Sequence, residues 1–287
     1  MAVSIERGTG RPEGGYTKLA GFDIPSVTDV LDIVGEKEGL CRHFAQLGMF
    51  GFIDRDRKAE VGHRVHAAAE ATIHGGAREA QLGESLQQHI DRLLEPPLEE
   101  DPLAAKDRDD ESQERRRAEM AQWSWAAYGA WLEWWSVASF DLEPIATETP
   151  LVHREYRITK NAERSRLPYA GTPDLVAWYT PRPGERLRVI VDWKTSEQLY
   201  PEAAAQVGAY GVAWNAERGE AVDGAILVRA GRDGVLSTLF LEGPAWGAAK
   251  AMWASARALY AYRGVLSTRT DQENARAAKA REAAKAA

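Results

Sequence analysis

The segment IVDWKTSEQLYPEAAAQVGAYG, residues 190–211, constrains the fold more than any other part of the chain. Side chains alternate along a strand, so Val189, Val191 and Trp193 would point one way and Ile190 the other. A strand apolar on both faces is a buried strand and needs cover on both sides. This one ends in Asp192 and Lys194. Charge at the end of a buried strand is costly unless it is paired or used, and local breaches of the burial rule mark function. A helix follows at once. Pro201 suits its first position, Glu202 the positive end of its dipole and Gly219 its stop. Its small residues would let it approach the sheet closely. Gln206 and Tyr210 lie four apart and so share a face.

The rest of the chain arranges itself around that strand. Its 287 residues fit one large domain or a domain with an elaboration. Residues 1–24 are Gly-rich and read as a flexible N-terminus. Residues 25–143 read as helical, with stretches over 25–52, 59–76, 81–94 and 118–140, and Ser26 or Thr28 as the first N-cap. The Pro-bearing, densely charged run 95–117 interrupts them as a mobile surface excursion. Trp123, Trp131, Trp134 and Trp135 recur at near-helical spacing, which predicts core packing. Over 144–265 short apolar runs between turn residues predict strands, broken by the helix at 201–218 and followed by another from about Gly243 to Arg263. Residues 266–287 form an Ala/Lys/Arg-rich tail. The order predicts an α/β fold, a central mixed sheet flanked by helices, with a helical N-terminal part.

Composition excludes several classes. The single cysteine, Cys41, rules out an intrachain disulfide and a multi-cysteine zinc or iron–sulfur site. No apolar run approaches the roughly 18 residues of a membrane span, and the N-terminus lacks a signal-peptide core. A reducing cytoplasm is the expected location. The net charge of −7 excludes a uniformly basic coat but leaves room for a local basic groove.

PRPG at 181–184 is a turn signal. A hairpin symmetric about Pro183 sets Asp174 opposite Asp192, with Cβ atoms about 5 Å apart. Two such carboxylates repel unless a proton or a cation lies between them. Mg²⁺ or Mn²⁺ fits oxygen ligands of this kind. Lys194 shares the face of Asp192 and could orient a water or offset charge on a phosphate. GHRVHAAAE offers His63 and His66, three apart on a helix, as neutral imidazole ligands. Arg154, Arg157, Lys160, Arg164 and Arg166 either track a phosphate backbone or form a solvated hairpin.

These features in combination resemble the RecB-like branch of the PD-(D/E)XK nuclease superfamily, in particular phage-encoded exonucleases related to the CRISPR-associated RecB-type proteins. The matching blocks are PSVTDVL (25–31), VGHRVHAAAE (61–70), ATETPLV (146–152), YAGTPDLV (169–176), VIVDWKTS (189–196) and YPEAAAQVGAY (200–210). They run in the family's order. The resemblance implies a restriction-endonuclease-like core. It implies metal ligation by His66, Asp174, Asp192 and the Trp193 carbonyl, with Lys194 as the catalytic lysine. Gln206 and Tyr210 would lie beside DNA. Glu148 takes the upstream acidic position, with Glu155 as its rival. Relatives with an iron–sulfur cluster use four cysteines, so no cluster is carried over.

The activity so implied is Mg²⁺- or Mn²⁺-dependent hydrolysis of DNA from its ends, in phage or prophage recombination or replication. Backbone contacts would give little sequence preference. A recombinase, a single-strand-binding protein or a helicase is the kind of protein partner such an enzyme would meet. Two alternatives stay open at this level: a structure-specific or nicking endonuclease, and a non-catalytic DNA-binding or assembly module on a nuclease scaffold.

Overall fold

A computed structural model of the chain describes residues 5–7, 16, 24–32, 49–75, 84–96, 110–154 and 167–286. Its strands are β1 (Glu6–Arg7), β2 (Leu142–Thr147), β3 (Leu151–His153), β4 (Tyr169–Gly171), β5 (Leu175–Tyr179), β6 (Leu187–Lys194), β7 (Gly224–Ala230) and β8 (Leu236–Leu241). The helices are α1 (Val27–Leu31), α2 (Met49–Ile73), α3 (Leu86–Leu94), α4 (Asp110–Ala138), α5 (Pro201–Arg218) and α6 (Gly243–Ala286). Six strands form one mixed sheet in the order β1-β2-β5-β6-β7-β8, and β3 pairs with β4 beside it. β5 and β6 are antiparallel, while β6 and β7 run parallel.

β6 lies inside the sheet and is covered on both faces, as its composition demands. Val189, Val191 and Trp193 pack with Val61 and Val65 of α2 and with Ala127 and Trp131 of α4. Ile190 packs with Val207 of α5 and Trp253 of α6. The result is a sheet between two helical layers, a restriction-endonuclease-like α/β arrangement. Trp131 and Trp134 are buried in the first layer, and Trp131 meets Trp193 edge-on at 5.6 Å.

Local signals account for most boundaries. Ser26 caps α1 through a reciprocal box with Asp29, and Ser85 caps α3 with Gln88 in the same way, each pairing two otherwise orphaned backbone donors. α5 starts at Pro201 and stops at Gly219, whose φ of 69° is the left-handed cap that glycine adopts without steric cost.

Three expectations change. The charged run is not all excursion: α4 begins at Asp110, so 110–117 is helical, and 97–109 lies outside the described residues. Tertiary hydrogen bonds hold that first part. Arg57 Nη2 donates to the Arg116 carbonyl at 3.2 Å and to Glu119 at 2.8 Å, and Arg117 Nε donates to the Pro96 carbonyl at 2.6 Å. The C-terminal tail continues α6 rather than standing apart. The small residues of α5 serve its contact with α6 as much as with the sheet. A Cβ on Gly208 would stand 2.8 Å from the Ala249 carbonyl oxygen, and one on Gly211 would stand 2.6 Å from the Trp246 ring.

Gly208→Ala is therefore expected to destabilise the protein by about 1–3 kcal/mol through overpacking. Gly247→Ala, on α6 with nothing within 4 Å of the added carbon, should be neutral or stabilising by up to about 1 kcal/mol. Chemical denaturation of both variants checks the pair.

Candidate active site

The β5–β6 ladder pairs Leu175 with Val191 and Tyr179 with Leu187, the register that a hairpin centred on Pro183 predicts. Continued by one residue, it sets Asp174 opposite Asp192. Asp174 is 5% exposed. Its Oδ2 accepts a hydrogen bond from the Trp193 N–H at 2.8 Å, which turns Oδ1 toward His66 Nδ1, 3.1 Å away. The His66 ring also lies 5.6 Å from that of Trp193, so the aromatic contacts that anchor Trp193 on Trp131 extend to the imidazole.

Glu148 follows β2. Its backbone N–H donates to the Asp174 carbonyl at 3.2 Å, and its φ is 44°. A non-glycine residue held in the left-handed region is strained, and such strain gathers at functional positions. The ligand atoms of His66, Glu148 and Asp174 all lie within 4.8 Å of one another. One imidazole nitrogen and two carboxylates form a hard donor set suited to a divalent cation.

Asp192 lies beyond that trio. It is 1% exposed, and its Oδ2 stands 2.7 Å from Lys194 Nζ. The ammonium thus pairs with a carboxylate that is withdrawn from solvent. The trio's one imidazole nitrogen and two carboxylates fit the metal that the sequence implies, with the paired Asp192 carboxylate beside them.

The electrostatics report crowding of negative charge. Burial, then the charge of Asp174, pushes the Glu148 carboxyl up to about 8, against the opposing influence of His66. Burial raises Asp192 to about 6, with Lys194 opposing and Asp174 reinforcing. For His66, burial lowers the pKa, but the charge and hydrogen bond of Asp174 and the charge of Glu148 outweigh it and the net shift is upward. Lys194 follows the same pattern: burial opposes its charge, and Asp192 and Asp174 prevail. A divalent cation held by the trio would replace the protons on Glu148 and His66 and leave the Lys194 ammonium charged.

Tyr210 on α5 faces the same region. Gln206 Nε2 donates to its hydroxyl at 2.7 Å, so the phenol's own proton is directed elsewhere. Burial, then the charge of Asp192, holds that phenol well above its ordinary pKa and keeps it a donor. Gly171 makes room for the ring, since a Cβ there would stand 2.4 Å from Tyr210 Cε1. A cavity of about 160 Å³ runs from His66, Glu148 and Asp174 to Tyr210, Thr172 and Tyr16.

The structure thus gathers His66, Glu148, Asp174, Asp192, Lys194, Gln206 and Tyr210 at one end of the sheet. His63 is turned away, with a side chain 80% exposed. Arg154 sits exposed at the end of β3, while Glu155, Arg157, Lys160, Arg164 and Arg166 lie outside the described residues. Sequence reasoning passed over Gly171, Thr172 and Tyr16. The first two lie inside the block YAGTPDLV, where the glycine was a legible signal of close approach. Tyr16 carried none.

A buried hairpin that delivers carboxylates and a lysine to one end of a mixed sheet is the arrangement of a restriction-endonuclease-like core. A sequence model of the PD-(D/E)XK nuclease superfamily matches residues 41–286. The chain belongs to the PD-(D/E)XK nuclease superfamily, whose members use divalent metal ions. No curated protein matches the chain. One crystal structure, that of SSO0001, is similar with a TM-score of 0.28 and 14% identity, over 52% of this chain and 65% of that one. The match spans less than two thirds of that chain. Among the described residues no helix is long and apolar enough to cross a membrane.

Crowded carboxyls make a pH prediction. The folded pKa of Glu148 lies above its ordinary 4.5 and that of Asp192 above 3.8. Their stabilising contribution is complete below those ordinary values and is lost as pH rises through about 8 and about 6. The metal-free protein should therefore lose thermal stability between these limits. Glu148→Gln should flatten the upper part of the slope, and added Mn²⁺ should restore stability at high pH. Thermal melts with EDTA or Mn²⁺ across this range provide the check.

Proposed function

We propose that the protein is a Mg²⁺- or Mn²⁺-dependent deoxyribonuclease that degrades DNA from its ends. The observation that carries the reading is the trio His66, Glu148 and Asp174, with ligand atoms within 4.8 Å, set beside the Asp192–Lys194 pair. These three residues would hold the cation, and Asp192 and the Trp193 carbonyl are the further candidates nearby. When bound, such a cation lowers the pKa of a coordinated water and offsets charge on the phosphate.

The chain's own residues have separable tasks. The Trp193 N–H fixes the orientation of Asp174, and Asp174 fixes His66. The ammonium of Lys194, kept charged by Asp192, orients the attacking water and offsets the charge that builds on the phosphate oxygens. Tyr210 donates its phenol proton to the substrate, because Gln206 already donates to the phenol oxygen. Arg154, Arg157, Lys160, Arg164 and Arg166 are assigned to the phosphate backbone, which predicts salt-sensitive binding with little sequence preference. The sequence resemblance supplies the setting, phage or prophage recombination or replication, and the partner classes: a recombinase, a single-strand-binding protein or a helicase.

Purified protein incubated with linear and covalently closed duplex DNA, in Mn²⁺, Mg²⁺ or EDTA, tests the reading. Linear DNA should disappear with metal and persist with EDTA, while closed circles survive. Asp174→Ala and Lys194→Ala should each cost at least about 10²–10³-fold in rate. Cutting of the closed circle would replace the exonuclease by an endonuclease. Absence of cleavage in every metal, with DNA still bound, would leave a binding module.

A further inference from the structure

The cavity beside the trio has two chemically different ends. One carries His66, Glu148 and Asp174, the side suited to a cation and a phosphate. The other is walled, among the described residues, by the hydroxyl-bearing Tyr16, Ser26, Thr28, Thr172 and Tyr210 and by the apolar Val27, and none of these carries a positive charge. Neutral hydroxyls and a small apolar face match a sugar, whose hydroxyl and ring oxygen hydrogen-bond without charge. A second phosphate is a poorer match, because the described residues of this wall offer it no cation.

The wall is built rather than incidental. Tyr16 and Thr172 hydrogen-bond at 2.8 Å, tying the N-terminal segment to the turn between β4 and β5. Tyr16 is 7% exposed and packs with Ile24, Val152 and Ala170. The start of α1 is pinned beside it: Ser26 bridges Ala170, and the Ala170 N–H donates to the Pro25 carbonyl at 3.2 Å. The volume of about 160 Å³ is well below the roughly 300–1,000 Å³ of sites that enclose a whole drug-sized ligand. One sugar fits such a space, and a base pair does not.

We propose that this cavity is an end pocket, which receives the terminal deoxyribose of one DNA strand and is walled against a continuing strand by the Tyr16–Thr172 pair. The inference rests on the nuclease reading of the adjoining trio and names what makes that site select ends. The base would lie outside the hydroxyl wall, so end selection and indifference to sequence have one origin.

The test uses the full chain and reads binding as well as cleavage. A labelled linear single strand is bound in Ca²⁺ and displaced by unlabelled linear strand, by a closed single-stranded circle of the same sequence, or by thymidine monophosphate. The linear competitor should displace the label at a concentration about tenfold or more below the circle, and the mononucleotide should compete. Tyr16→Phe keeps the ring in its cluster and removes only the hydroxyl. It and Thr172→Val should each weaken the mononucleotide by about five- to tenfold, the cost of one buried hydrogen bond. Thr172→Ser, which keeps the hydroxyl, should bind like the wild type. Equal displacement by linear and closed strands, with unchanged affinities in Tyr16→Phe and Thr172→Val, would overturn the proposal. End-selective, Tyr16-dependent binding without cleavage in Mn²⁺ would uphold the pocket and sink the nuclease reading. Cleavage without end selectivity would do the reverse.

Discussion

A single hydrogen bond, from the Trp193 N–H to the buried carboxylate of Asp174 at 2.8 Å, organises the end of the sheet. It joins the residue just before β5 to the last turn of β6, where the antiparallel ladder has already run out. By occupying one oxygen of Asp174 it presents the other to His66. The same tryptophan sits on Trp131 with one edge and beside His66 with another. Backbone, carboxylate, imidazole and helical core are thereby placed by one residue. A shift of that strand by one position would turn Trp193 away from α4 and every site residue of β6 to the opposite face.

Such an arrangement is costly. Among the described residues His66 and Lys194 are the basic groups that face Glu148, Asp174 and Asp192, and two of the three carboxyls hold protons more tightly than usual. Glu148 adds backbone strain. The rest of the fold offsets this: β6 is buried on both faces, and α5 meets α6 through glycines that leave no room for a side chain. A cation would convert the crowding from a liability into a binding free energy, because each proton displaced is a ligand gained.

Much of this was legible in the linear chain, for identifiable reasons. The apolar run 189–191 has one solution, a strand covered twice. The PRPG turn set the register that the ladder adopts. Pro201 and Gly219 bracket α5 at its observed ends. Each signal is local, a matter of one residue's backbone or one strand's alternation. The start of α4 was misjudged for the complementary reason. Residues 110–117 look like a solvated loop by composition, and what makes them helical is contact with Arg57 and Pro96, far away in sequence.

By itself the sequence determined the periodicity, the turn and the residue types: which strand is buried, which carboxylates can meet across a hairpin, and which polar pair rides on the following helix. Only the tertiary structure decided the membership of the site. Glu148 joins His66 and Asp174 because a strained turn after β2 carries it there, while Asp192 stands apart with Lys194. Tyr16 reaches the cavity across 156 positions through a bond to Thr172. Spacing along a chain describes neighbours on one element, and a site assembled from α2, the β2 turn, the β5–β6 hairpin and the N-terminal segment exists only once packing has fixed those elements against one another.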